Sequence, residues 1–210
     1  MRENRYVSGL GAYALLYLVF LYLPVLFLPV FSFNDGTIVA FPLQGFTLKW
    51  YAALSEADTL IQALVNSLIV GVVTASISTA IGLFAARAYV RYQFKGRNAS
   101  EALVMLPLVV PGIIVASSML VLFLNIGIQP SLTAVILGHI FLTLPFAVSI
   151  MKSAFESFDP SLEEAALDLG ENVIGVFWRV TLPVVMPGIV ASMLVTFTVS
   201  FDEFVLAFFL

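Results

Sequence analysis

Asp202 and Glu203 stand side by side inside an apolar run that extends from Val184 to Leu210. An ionised carboxylate in such surroundings is costly unless it faces water, a partner or a charged ligand, so the pair could attract a cation or pass a proton. Little else in the chain could do covalent chemistry. His139 is the one histidine and cysteine is absent, which excludes thiolate metal sites, cysteine nucleophiles and disulfides. No H-E-x-x-H occurs, and no G-x-S-G with a paired base. No G-x-x-x-x-G-K-S/T surrounds Lys49, Lys95 or Lys152, so the chain cannot hydrolyse ATP by itself. These absences argue against an enzyme in its own right. The acids then suit transport, by an ion or solute pathway or by a proton-coupled carrier, and His139 reads as a hydrogen-bonded packing residue.

Successive helical residues lie about 100° apart, so the two acids cannot share a face. On one continuous helix Glu203 falls on a stripe with Thr196, Ser200 and Ala207, while Phe197, Phe201, Phe204 and Phe208 form another. Asp202 falls between Val195, Thr198 and Phe209. At 1.5 Å per residue from a start near Val184, the acids lie about 27 to 29 Å along, in the outer part of a bilayer. Periodicity favours Glu203, with Ser200, on a polar pathway. The blander alternative is that both acids reach the interface or bond a neighbouring helix.

A second group of residues lies between Lys152 and Pro183. Glu156, Asp159, Glu163, Glu164, Asp168 and Glu171 all fall there, so the net charge of -4 describes this one loop and not a general surface field. Ser161 followed by Glu164 is a capping box, with Pro160 where a helix start tolerates it. The expected helix runs through Glu163, Glu164, Ala165, Ala166, Leu167, Asp168 and Leu169 to Gly170, which offers a left-handed cap. Asn172 can then start a second short helix carrying Val173, Val176, Phe177 and Val180 on its apolar side, stopped by Pro183. Two short helices bent around a glycine make a knob suited to a partner's groove.

The elements that must position these groups are membrane spans. Hydrophobic residues make up 61% of the 210 residues and charged ones 10%, against roughly 45 to 50% and 25% in soluble domains. The apolar runs reach the twenty or so residues that a helix needs to cross hydrocarbon with its backbone satisfied. Five are expected: about 10–33, 61–86, 102–124, 132–151 and 184–210, in one transmembrane domain over 1–210 with a cytoplasmic loop at 152–183. Pro24 and Pro29 can kink the first, and Pro107 and Pro111 the third. Cytoplasmic loops carry the excess of Lys and Arg. With the N-terminus inside, Arg2, Arg5, Arg87, Arg91, Lys95, Arg97, Lys152 and Arg179 are cytoplasmic, and Lys49 alone is outside, in a loop from Ser32 to Leu60 that holds Trp50 and Tyr51. The final apolar run has no polar flank, which suggests a sixth helix beyond Leu210.

Glu164-Ala165-Ala166, three residues, Gly170, nine residues and Val180-Thr181-Leu182-Pro183 together resemble the EAA signature of permease subunits in bacterial ATP-binding-cassette importers. The family more often has Ile where Val180 stands. Gly45-Phe46-Thr47-Leu48-Lys49-Trp50-Tyr51, Leu106-Pro107 with Val110-Pro111, Gly138-His139 with Leu144-Pro145-Phe146, and Ser200-Phe201-Asp202-Glu203 resemble its polyamine-type branch. The resemblance implies an all-α membrane protein, the type I importer bundle, in the bacterial inner membrane. It implies that Glu163, Glu164, Ala165, Ala166, Asp168, Gly170, Leu182 and Pro183 couple the chain to a separate ATPase. Asp202, which the resemblance favours over Glu203, and Ser200 would belong to the substrate pathway or gate. The implied solute is small and cationic, such as spermidine or putrescine, with another organic or amino-acid-like solute as the alternative. The implied partners are an ATP-binding-cassette ATPase dimer, a second and different permease, an extracytoplasmic solute-binding protein and the lipid bilayer, with no nucleic acid. No cofactor or metal is expected on this chain, ATP and Mg being held by the ATPase.

Overall fold

A computed structural model describes the backbone of residues 3–210 and the side chains of residues 9–210. Arg2 and the side chain of Arg5, used above for orientation, lie outside the described residues. Among the described residues ten α-helices follow in order: α1 (Glu3–Ser32), α2 (Lys49–Ser55), α3 (Asp58–Arg91), α4 (Arg97–Met105), α5 (Gly112–Asn125), α6 (Leu132–Glu156), α7 (Ser161–Asp168), α8 (Val173–Val176), α9 (Leu182–Asp202) and α10 (Val205–Phe209). A 3-10 turn at Leu106–Leu108 follows α4, and a π-helical segment, Phe177–Thr181, joins α8 to α9. Internal contacts gather into two units, Met1–Ala63 and Leu64–Leu210.

In the first unit α1 is apolar all round from Gly9 to Ser32 and includes Pro24 and Pro29 without ending. The loop that follows is ordered by its own polar groups. Asn34 is buried, its side chain accepts from the Gln44 amide at 2.9 Å, and its carbonyl accepts from Trp50 Nε1 at 2.8 Å. Lys49 pairs with Asp35 and lies 4.8 Å from the Trp50 ring centroid. Tyr51 is 2.7 Å from Ser32.

The second unit is built on α3 from Leu64 onward, α6 and α9. At 34 residues α3 is about 51 Å long, well beyond the hydrocarbon thickness. Small residues let these helices approach closely: a Cβ added to Gly82 would lie 2.8 Å from Ala147 Cβ, and one added to Gly188 would lie 2.5 Å from Ala154 Cβ. Buried hydroxyls form rungs between them, Ser78 to Thr143 at 2.8 Å and Thr79 to Ser192 at 2.9 Å. Apolar clusters close the two ends. One contains Val70, Phe123, Val135 and Leu206, the other Leu83, Met151, Phe155, Phe158 and Val185.

Two of the five expected spans are not continuous. Among the described residues four helices are long and apolar enough to cross a membrane, and the fifth, expected over 102–124, is a broken pair. Arg97–Leu108 meets Gly112–Asn125 at 105°. Pro107 and Pro111 remove two amide donors within five residues, and Pro111 takes ψ 132°, so the helical ladder stops and restarts at Gly112. This is a break and not the expected bend. The span expected over 184–210 likewise ends at Asp202, and Val205–Phe209 is a separate turn of helix.

Candidate functional site

The loop helix α7 starts differently from the expected capping box. Pro160 already has helical dihedrals (φ -58°, ψ -28°) and its carbonyl receives the amides of Glu163 and Glu164. The cap therefore moves back two residues: Asp159 Oδ1 accepts from the Ser161 amide at 3.0 Å, and Ser161 makes no side-chain cap. That amide, with the Ser161 hydroxyl, holds the Asp159 carboxyl below its ordinary pKa.

The other end of α7 follows the sequence. Gly170 has φ +89°, its amide bonds to the Leu167 carbonyl at 2.9 Å, and the Glu171 amide reaches back to Ala166 at 3.1 Å. This closes the helix with a left-handed glycine. Asn172 then caps α8, its side chain accepting from the Gly175 amide at 2.9 Å. The second short helix does not stop at Pro183, however. It continues through the π-helical Phe177–Thr181 into α9, so that Val173–Asp202 is one 30-residue run. A proline ring crowds the carbonyl four residues before it, and the wider π turn takes that carbonyl out of line, letting the helix pass.

α7 thus presents Glu164, Ala165 and Asp168 to solvent, with Gly170 and the 89%-exposed Leu169 beyond its end, while Ala166 is half-buried. Val173, Ile174 and Trp178 extend this exposed apolar surface along the next helix. Glu163 faces the other way, toward Arg87, Arg91 and Thr181. Leu182 packs against the Leu83–Phe158 cluster, and Pro183 is exposed in the first turn of α9. The family resemblance implies one coupling set of all eight residues. The structure divides them into an outward surface and an inward anchor. Arg87 and Arg91, four apart on one helical face, are the sequence signal for a half-buried acid opposite, a signal that counting them only toward orientation does not use.

At the far end of α9 the two acids separate. Glu203 leaves the helix with ψ 106°, and its Oε1 accepts from the Leu206 amide at 3.1 Å, so it caps α10. A carboxylate that can satisfy the orphan amides of a following turn competes with helix continuation. The stripe of Glu203 with Thr196, Ser200 and Ala207 consequently does not form. Thr196 and Ser200 are buried, and Ser200 Oγ lies 2.8 Å from His139 Nδ1. The structure places Ser200 inside the bundle and away from an open surface. Asp202 is exposed and makes no ion pair among the described residues. The phenylalanine stripe is also cut, into Phe197–Phe201 and Phe204–Phe208 pairs with centroids 5.6 and 5.7 Å apart.

Residues 78–210 match the family described as binding-protein-dependent transport system inner membrane component. The chain is 36% identical over 197 residues to the spermidine/putrescine transport system permease protein PotC of Escherichia coli strain K12, an alignment covering 94% of this chain and 72% of that protein. It is 32% identical over 202 residues to the putrescine transport system permease protein PotI of the same strain, covering 93% and 72%. A PotC from Haemophilus influenzae is 33% identical over 166 residues, covering 79% and 65%. These are transport permeases and not enzymes. The chain belongs to the binding-protein-dependent transport system inner membrane components, the multi-pass permease subunits of ATP-binding-cassette importers.

Proposed function

We propose that this permease lines the pathway of a polyamine importer, with Asp202 as the acid that meets the cation. The supporting observation is the separation of the two acids, which leaves Asp202 exposed at the C-terminal end of α9 while Glu203 is engaged in capping. The relatives named for spermidine and putrescine supply the solute class. In this reading the outward face of α7, with Glu164, Ala165, Asp168 and Gly170, docks on one subunit of an ATPase dimer that holds ATP and Mg. A second, different permease completes the pathway, and an extracytoplasmic binding protein delivers the solute. ATP binding closes the ATPases and moves the docked knobs, which turns the cavity outward.

Asp202→Asn nearly preserves shape and removes charge. It is expected to lower spermidine or putrescine uptake at subsaturating solute by about tenfold or more, the scale of a charge-assisted hydrogen bond. Glu203→Gln keeps an amide oxygen for the Leu206 N–H and is expected to have the smaller effect. Uptake into proteoliposomes, with basal ATP hydrolysis as the control, distinguishes them. Wild-type uptake by Asp202→Asn would leave that acid a structural role only.

The same reading puts the N-terminus in the cytoplasm. The chain has no cysteine, so single cysteines at the exposed Lys95 and Glu56 report without background. An impermeant thiol reagent applied to intact cells is expected to label position 56 and spare position 95. Labelling of 95 from outside reverses the orientation.

A further inference from the structure

One carboxylate joins the loop helix to the rest of the second unit. Glu163 Oε1 lies 3.4 Å from Arg87 Nη2, and its Oε2 lies 3.9 Å from Arg91 Nη2. The hydroxyl of Thr181, fully buried in the π-helical segment, donates to the same Oε1. The three charged side chains are only 15 to 17% exposed. Each guanidinium also lies over an aromatic ring, Arg87 over Phe177 and Arg91 over Phe158, both 4.9 Å from the centroid. Phe177 stacks in turn on Phe84 of α3. The carboxylate therefore ties together α3, the turn after α6 that carries Phe158, α7, and the π-helical segment that leads into α9.

The mechanical consequence follows from how α7 is attached. Its eight residues are held in the chain by the short turn at 157–160 before it and by the Gly170–Asn172 bend after it. Displacement of a helix reaches other elements only through contacts that hold during the motion. An exposed ion pair would yield readily. Here two permanently charged guanidiniums lose their counter-charge if the helix pulls away, in surroundings too dry to replace it cheaply. We infer that Glu163 is a positioning residue that transmits displacement of α7 to the spans α3 and α9, through Arg87 and Arg91 on one side and Thr181 on the other. This rests on the reading that α7 receives the ATPase, and it assigns Glu163 to transmission and not to the docking surface.

Glu163→Gln tests it in the complete complex, with ATPase, second permease and binding protein reconstituted in proteoliposomes. The amide oxygen can still accept from Thr181, while the charge is lost. The expected result is that ATPase co-purifies and hydrolyses ATP as in wild type, yet solute transported per ATP falls at least about fivefold, the lower end of typical coupling energies between sites. A Glu163→Gln, Arg87→Gln double variant is expected to lose little more than the single one, because both remove the same link. Unchanged transport per ATP in the assembled Glu163→Gln complex overturns the transmission role while leaving docking intact. Should that subunit fail to assemble, Thr181→Val, which keeps both ion pairs and cuts only the link to α9, must still lower the ratio, and a wild-type ratio there also overturns the inference. A wild-type ATPase that forms no crosslink to cysteines at Asp168 or Leu169 removes the docking reading and this inference with it.

Discussion

Replacing Gly170 by Val is expected to abolish solute uptake while leaving the subunit inserted in the membrane. A Cβ at this position meets no atom within 4 Å, so crowding plays no part. The difficulty is the backbone, which sits at φ +89°, where a β-branched side chain is strained by roughly 1 to 3 kcal/mol. The chain can relieve that only by giving up the two amide bonds that close α7, from Gly170 to Leu167 and from Glu171 to Ala166. Asn172 would then shift, and with it the cap and direction of α8. Since the outward surface is assembled from both helices, its shape is lost although each helix could still form. The effect should follow left-handed propensity, Val being worst, Ala intermediate and Asn mildest. Membrane insertion, co-purification of the ATPase and solute-stimulated hydrolysis separate these steps. Stimulated hydrolysis at the wild-type level in an assembled Gly170→Val complex would show that the bend is not part of coupling.

Adding one methyl group at either of two glycines is expected to destabilise the bundle severely, with opposite outcomes when the facing alanine is trimmed. A Cβ at Gly188 would stand 2.5 Å from Ala154 Cβ, with no other atom nearer than 3.9 Å. Removing that one methyl clears the conflict, so Ala154→Gly should restore Gly188→Ala to near wild-type folding. A Cβ at Gly82 would stand 2.8 Å from Ala147 Cβ but also 2.9 Å from its carbonyl carbon and 3.1 Å from its oxygen. Ala147→Gly leaves those backbone atoms in place, so Gly82→Ala should stay defective in the double variant. Helices in lipid have no hydrophobic drive to hold them together and depend on such close packing, which is why one methyl matters. Overpacking costs about 1 to 3 kcal/mol even in adaptable cores. Thermal stability of the detergent-solubilised subunit and yield of assembled complex measure the rescue. Equal rescue at both positions would mean that α3 can move away from α6 as readily as α9 can.

The spans and the loop with its glycine cap and second cap were legible because each depends on near neighbours in the chain. Twenty apolar residues satisfy hydrocarbon wherever they pack, and Gly170 and Asn172 bond residues within a few positions. The cap at Asp159 is decided by a local competition that spacing does not resolve, Pro160 joining the helix that the capping-box pattern has Ser161 open. The break in the expected last helix has a similar cause. Periodicity carries Glu203 around the helix as an ordinary residue, but its carboxylate reaches the Leu206 amide and the helix ends before it.

Composition and short-range spacing by themselves determined that this chain crosses a membrane as helices and offers a bent, acidic knob between its fourth and fifth expected spans, since hydrophobic length and helix capping are decided within a few turns. Direction was decided elsewhere. Glu163 and Glu164 are adjacent and chemically alike, yet the first is drawn inward by Arg87 and Arg91, more than seventy positions away, and the second is left to solvent. Asp202 and Glu203 are likewise adjacent, and the turn after them takes one as its cap and leaves the other exposed. Which carboxylate of a pair is spent on structure depends on the cations and amides that folding brings within about 3 to 4 Å, a distance over which a charge in a half-dry site finds a partner or is forced to solvent.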